Sequence, residues 1–318
     1  MPEWLIERGI GESRAVLVEG NKIVEARIQM EGSVAAGTVL TVRLASVGAN
    51  GRNAIATDER GTEYLLPRGA PGVTEGAPLT VEVTREAIPG GEPWKRPLAK
   101  ITNDEPHAAP ALPGRELPFP APRDALADLG WYDLIDEARN GTVTFAGGEL
   151  RISPTPAMTL SYVDGYLPAN ARAVLGAYEA ARAMRRLDIG GSIGIDLPTS
   201  GSKAARQDAA AAIDAVLAQP FERTAVNGFG FVQIVRPRLR ASVVELSLDR
   251  ASFEARALLR SAAFESAGRK RLVAHPAVIN VLDGRKGWIA ELARQVGGDV
   301  ELRAKRTLPM SGGYAEVF

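Results

Sequence analysis

Residues 1–102 alternate apolar and polar positions in short bursts: "EWLIER", "SRAVLVEG", "KIVEARIQM", "TVLTVRLASV", "AIATD", "EYLLP" and "LTVEVTREA". A period of two marks strands that bury one face and wet the other. Turns bearing Gly, Asn or Pro ("EGNK", "GANGRN", "RGAPG", "PGGEP") separate them. Many short strands at near-regular spacing predict a small barrel or sandwich, and the strands over 38–102 fit an OB-type barrel. From Asn103 to Arg123 the alternation stops. Pro106, Pro110, Pro113, Pro118, Pro120 and Pro122 fall in this stretch, which reads as an extended linker and a domain boundary.

Past the linker the apolar period lengthens. "DALADLGWYDLIDEARNG" spaces Leu126, Leu129, Tyr132, Leu134 and Ile135 at helical intervals and ends at Gly141. "TVTFAG", "ELRISPT" and "AMTLSYVDG" read as strands and "ANARAVLGAYEAARAMRRLD" as an amphipathic helix. "SIGIDL" is a strand, "SKAARQDAAAAIDAVLAQ" a helix, and "RTAVN" and "GFGFVQIVRPRLR" are strands again. Residues 252–318 continue to alternate helix and strand. The expected fold class is therefore α+β / α/β, with an N-terminal OB-type β-barrel followed by a mixed-sheet α/β domain. The expected boundaries are 1–102 for the β-rich region, 103–123 for the linker and 124–318 for the α/β domain.

Composition narrows the chemistry. Of 318 residues, 45% are apolar and 24% charged, enough for a sizeable core. There is no cysteine, so disulfides, thiolate metal sites and a catalytic thiol are excluded. With His107 and His275 as the only histidines, neither a histidine zinc site nor a Ser-His-Asp triad is expected. Carboxylates, hydroxyls, Lys and Arg must carry any reaction. The apolar runs are shorter than a membrane span, and "MPEWLIERG" has no signal-peptide core, so a cytoplasmic protein without a membrane partner is expected. Lys and Arg together number 38, as do Asp and Glu, so nucleic-acid binding would need a local basic patch.

Two strand ends stand out. "AMTLSYVDG" ends with Asp164 and "SIGIDL" carries Asp196, each before a loop and then a helix. In layered α/β sheets ligands gather outside the carboxyl ends of strands. Two carboxylates converging there repel unless a cation lies between them, and Mg²⁺ (or Mn²⁺) accepts one or two carboxylates with waters and a substrate phosphate. The competing reading is that each Asp merely caps the loop or helix after its strand. Lys203 stands in the first turn of the next helix, where Ser202 reads as a cap. Arg236, Arg238 and Arg240 alternate onto one side of "VRPRLR" and suit either a charged edge or a phosphate track. On the barrel, Arg85, Lys95, Arg96 and Lys100 form a second basic cluster, with Tyr64 and Trp94 as its few aromatics.

Together "GGELRISPTPAMTLSYVDG", "AARAMRRLDIGGSIGIDLPTS", "FGFVQIVRPRLR" and "VAHPAVINVLD…WIAELARQVGGDVELRA" resemble the catalytic half of the ribonuclease E/G family, over roughly Gly141 to Ala304. The barrel resembles that family's OB-type RNA-binding domain more loosely. The resemblance implies that Asp196 is the second metal-binding aspartate, that Asp164 supports the metal, and that Arg223 contacts an RNA 5′-monophosphate. Three departures accompany it. Tyr162 stands where the family has its first metal aspartate, and a phenol, ionising near pH 10, is a poor Mg²⁺ ligand. The proline-rich stretch replaces most of the 5′-sensor region. With no cysteine there is no zinc-linked dimer, which leaves the oligomeric state open. The expectation is a Mg²⁺-dependent endoribonuclease that cleaves single-stranded RNA to 5′-phosphate and 3′-hydroxyl ends, with Asp196 and Asp164 as catalytic and metal residues. Arg236, Arg238, Arg240, Arg223 and Lys203 would bind RNA. An RNA-binding protein with a weakened or lost active site is the alternative. A protein that binds a small phosphorylated ligand at the same strand ends is the third reading.

Overall fold

A computed structural model describes residues 1–89 and 95–318. Part of the "PGGEP" turn and Trp94 lie outside the described residues. The chain is mixed α+β and divides into two compact units: Met1–Glu31 with Leu112–Arg139 and Leu246–Phe318, and Gly32–Ala111 with Asn140–Glu245. Segments far apart in sequence thus share a unit, a grouping that does not run along the sequential boundaries at 102 and 123.

In the first unit β1 (Glu3–Arg8), β2 (Glu12–Glu19) and β3 (Lys22–Met30) form an antiparallel meander. The proline-rich stretch supplies β9 (Arg115–Leu117), which pairs parallel with Leu5–Glu7 and completes the order β3-β2-β1-β9. Helix α1 (Trp131–Asn140) comes next in the chain. The C-terminal segment adds α5 (Arg250–Ala263), β16 (Lys270–Ala274), α6 (Pro276–Asp283), α7 (Lys286–Val296), β17 (Val300–Ala304) and β18 (Tyr314–Val317). These three strands form a sheet in the order β17-β16-β18. Leu258, Leu259 and Ala262 of α5 pack with Leu272, Val278, Leu282 and Leu292 in one apolar cluster.

This unit also buries charge. Arg260 sends Nε to Glu7 Oε1 (2.9 Å) and Nη2 to Asp124 Oδ1 (2.6 Å). Arg14 Nη1 donates to Glu7 Oε1 at 2.8 Å, and Arg256 Nε to Glu12 Oε2 at 2.8 Å. Burial pushes the Glu12 carboxyl up, but Arg14 and Arg256 outweigh it and hold it below the ordinary range. Asp124 is likewise lowered: burial opposes its charge, and the Arg260 hydrogen bonds prevail.

The second unit contains a closed five-stranded barrel of β4 (Val39–Ser46), β5 (Ala54–Thr57), β6 (Glu63–Leu66), β7 (Pro78–Arg85) and β8 (Leu98–Ile101), in the order β4-β5-β6-β8-β7. Alternate residues fill it, among them Val42, Leu44, Ala56, Tyr64, Leu66, Val81 and Val83. Tyr64 is wholly buried and its hydroxyl donates to Asp58 Oδ2 at 2.9 Å, so it offers no exposed stacking surface. The barrel's entry and exit are joined: Val39 and His107 exchange backbone hydrogen bonds of 3.0 and 2.9 Å.

The rest of this unit is a six-stranded sheet, β10 (Thr142–Phe145), β11 (Gly148–Pro154), β12 (Thr159–Gly165), β13 (Gly191–Asp196), β15 (Phe231–Arg236) and β14 (Glu222–Arg223), neighbours in that order. Its helices are α2 (Ala169–Arg186) and α3 (Lys203–Val216), with the short α4 (Val243–Leu246) after β15. Strands β12 and β13 are parallel, which requires a crossover, and α2 supplies it. Val143, Leu150, Ile152, Val163, Ile193, Ile195, Val232 and Ile234 are buried on the helix side of the sheet. The intervening residues make the opposite face, where Arg151, Leu160, Tyr162, Asp196 and Val235 are exposed. "RTAVN" contributes only Arg223 to a strand; residues 224–227 are irregular.

Candidate functional site on the open sheet face

Pairing register assembles the site. Tyr162 of β12 stands directly opposite Asp196 of β13, Asp196 opposite Phe231 of β15, and Tyr162 opposite Arg151 of β11. Residues opposite one another share a face, so Arg151, Tyr162, Asp196 and Phe231 form one row across four strands. Asp164 is on the same face, two residues or about 7 Å further along β12, opposite Glu149 of β11. Both aspartates that sequence reasoning selected therefore lie at neighbouring strand ends on one open surface.

Packing within the row is specific. A Cβ at Gly194 would stand 2.6 Å from the Phe231 ring and 2.9 Å from Leu160 Cδ2. Glycine there lets ring and leucine settle over the bare backbone one step behind Asp196. Asp164 Oδ1 accepts from the Gly165 amide at 2.7 Å. Asp196 has no ion-pair partner among the described residues. Arg151 Nε donates to Glu149 Oε1 at 2.7 Å, and this bond, with lesser help from Asp164 and Tyr162, holds the guanidinium charged. The cluster holds three carboxylates (Asp164, Asp196, Glu149) and one guanidinium, so a polyanion meets net negative charge there.

The donor set that this face offers a divalent cation is two carboxylates, Asp196 and Asp164. Among the described residues no three Asp, Glu, His or Cys side chains gather closely enough to hold an ion by themselves. Asp196 and Asp164 on one solvent-exposed face leave the remaining positions of a hard cation to water and phosphate oxygens.

The basic residues sit otherwise. The register puts Arg236 opposite Gly191 and in phase with Val232 and Ile234, on the helix side, away from Asp196. Its Nη1 lies 3.3 Å from the carbonyl of Ile189. Arg238 pairs with Glu245, and Arg240 with Asp188 (3.3 Å) and Glu86 (3.7 Å). The expectation that these three flank the aspartates is thus corrected for Arg236 by the pleat, and all three have partners inside the fold. Arg223 grips Asp214 of α3 through Nε and Nη2, a bond that raises the arginine's pKa and lowers the aspartate's. Lys203 is exposed at the start of α3, after Ser202, whose hydroxyl accepts from the Ala205 amide at 3.2 Å. On the barrel, Arg96 pairs with Glu63 and Lys100 with Glu82.

Sequence reasoning missed Arg151, Glu149, Phe231 and two exposed rings, Tyr166 and Phe229. The alternation in "GELRISP" was signal enough for Glu149 and Arg151, because an amphipathic strand beside β12 must share its polar face. The chain matches no protein-family model and no curated protein.

Proposed function

We propose that the chain binds single-stranded RNA at the open face of the six-stranded sheet, through Mg²⁺ held by Asp196 and Asp164, and cleaves it slowly. One observation carries this reading: Asp196 and Asp164 share an exposed face at adjacent strand ends, while Tyr162 fills the place opposite Asp196. The ribonuclease E/G pattern has an aspartate at that place. The excess of carboxylates also fits a role that recruits a cation, since phosphates would otherwise be repelled. The cation would supply polarisation of a scissile phosphate and activation of the attacking water. Asp196 and Asp164 would hold it, Arg151 would face the bound phosphate, and the Tyr162 hydroxyl would offer that phosphate a hydrogen bond. The barrel, with five strands in a closed order, is compatible with an OB-type module and would extend the RNA track.

A fluorescent single-stranded RNA tests the proposal with Mg²⁺ or Mn²⁺ present or chelated. The expected result is metal-dependent binding with little cleavage by the wild type, loss of that dependence in Asp196→Asn, and faster cleavage in Tyr162→Asp. RNA binding that ignores both the metal and Asp196, or no binding at all, overturns it.

A further inference from the structure

We infer that Phe229 and Tyr166 are stacking platforms for two bases of single-stranded RNA, one on either side of the phosphate at Asp196 and Asp164. The inference rests on the RNA reading of this same face. After Met1, these are the two most exposed large apolar side chains among the described residues, at 82% and 85%. Isolated exposed apolar residues are common on surfaces. What sets these two apart is the backbone beneath them.

Phe229 rides a turn whose backbone is fixed by hydrogen bonds. The Asn227 side-chain oxygen accepts from the amides of Phe229 (2.9 Å) and Phe231 (3.0 Å). Thr199 Oγ1 donates to the Phe229 carbonyl at 3.1 Å, and the Leu197 amide to the Gly230 carbonyl at 3.1 Å. Gly230 has φ +91°, and a Cβ there would stand 2.3 Å from the Leu197 carbonyl oxygen. The turn is therefore clamped to the loop that leaves Asp196. Tyr166 comes two residues after Asp164, and its amide donates to the Gly147 carbonyl at 3.2 Å. Each exposed ring thus stands on a backbone tied to a neighbouring strand end.

Placement indicates the occupant. Tyr166 lies just past the end of β12 and Phe229 precedes the start of β15, the two strands that flank β13 and its Asp196. Their two strands are two spacings, or about 10 Å, apart in the sheet. Rings beside carboxylates suit bases whose phosphates are bridged by a cation. Every base has a π-face, so such platforms grip single strands with little regard to sequence. Paired bases in a duplex cannot offer those faces.

The test measures affinity in Mg²⁺ for a single-stranded oligoadenylate containing 2-aminopurine, and for the matching sugar-phosphate strand without bases. Phe229→Ala and Tyr166→Ala should each weaken oligoadenylate binding by about five- to hundredfold and relieve 2-aminopurine quenching. Phe229→Trp should restore both. On the strand without bases the alanine variants should match wild type. Unchanged affinity in the variants, or equal losses on both strands, overturns the inference and leaves the RNA reading standing. Wild type that binds neither strand overturns both. Self-association that disappears in Phe229→Ala would assign the ring to a second copy of this chain and overturn the stacking role.

Discussion

Two groups of carboxylates, one in each unit, are treated in opposite ways. In the first, Glu7, Glu12 and Asp124 are inside and ringed by Arg14, Arg256 and Arg260, with each acid engaged by a guanidinium. In the second, Asp196 stands exposed without an ion-pair partner among the described residues, and Asp164 accepts from its own neighbour's amide. A buried carboxylate survives only when its desolvation is offset by partners, and once partnered it is committed to the fold. A carboxylate left in water keeps its full capacity to take up a cation. The same residue type thus serves architecture in one group and is available for chemistry in the other.

The largest test of this contrast is Arg260→Ala. It leaves Glu7 with Arg14 alone and Asp124 without its guanidinium, and unfolding by urea should show a loss of about 3–5 kcal/mol. Acid should act next. Glu12 and Asp124 have folded-state pKa values below their unfolded ones, so they contribute stability above the unfolded value, near pH 4, which disappears as pH falls through the folded values. Thermal melts from pH 6 to pH 2.5 should show this loss, and Asp196→Asn should not alter its profile. Arg240→Ala should cost about 1–3 kcal/mol by stripping Glu86 and Asp188 of their cation. It should leave the salt dependence of RNA binding unchanged; a flatter slope would return Arg240 to the RNA interface. The smallest effect on stability, within about 0.5 kcal/mol, is expected for Asp196→Asn, although it should abolish metal-dependent RNA binding. If instead this variant unfolds easily, the open-face carboxylate is structural and the contrast fails.

How far the sequence revealed this depended on range. Local patterns placed β12, β13, α2, α3 and the barrel strands β4 to β7 close to where they form, because periodicity and Gly or Pro punctuation act within a few residues. Asp164 and Asp196 were legible for the same reason: each ends a strand and precedes a loop. The arginines of "VRPRLR" show the limit. Alternation relates them to one another, but only the pairing of β15 with β13 decides which face Arg236 takes. Nor could any local signal show that Glu7, Asp124 and Arg260 meet, since their partnership spans more than two hundred residues of chain. Read along the sequence they pass for ordinary surface charges. The short β9 was hidden in the same way, its partner β1 lying at the far end of the chain.

The bridge between Val39 and His107 has a consequence for how such a chain can be assembled and altered. Because the barrel's two ends meet there, the polypeptide leaves and returns through a single doorway about 5 Å wide. A module with that property behaves as a cassette. It can be exchanged for another, or trimmed to a short loop, without asking the flanking segments to span a new distance. In sequence the barrel is flanked by Met1–Glu31 and Leu112–Arg139, both of the first unit, so an engineer would remove it between those two segments.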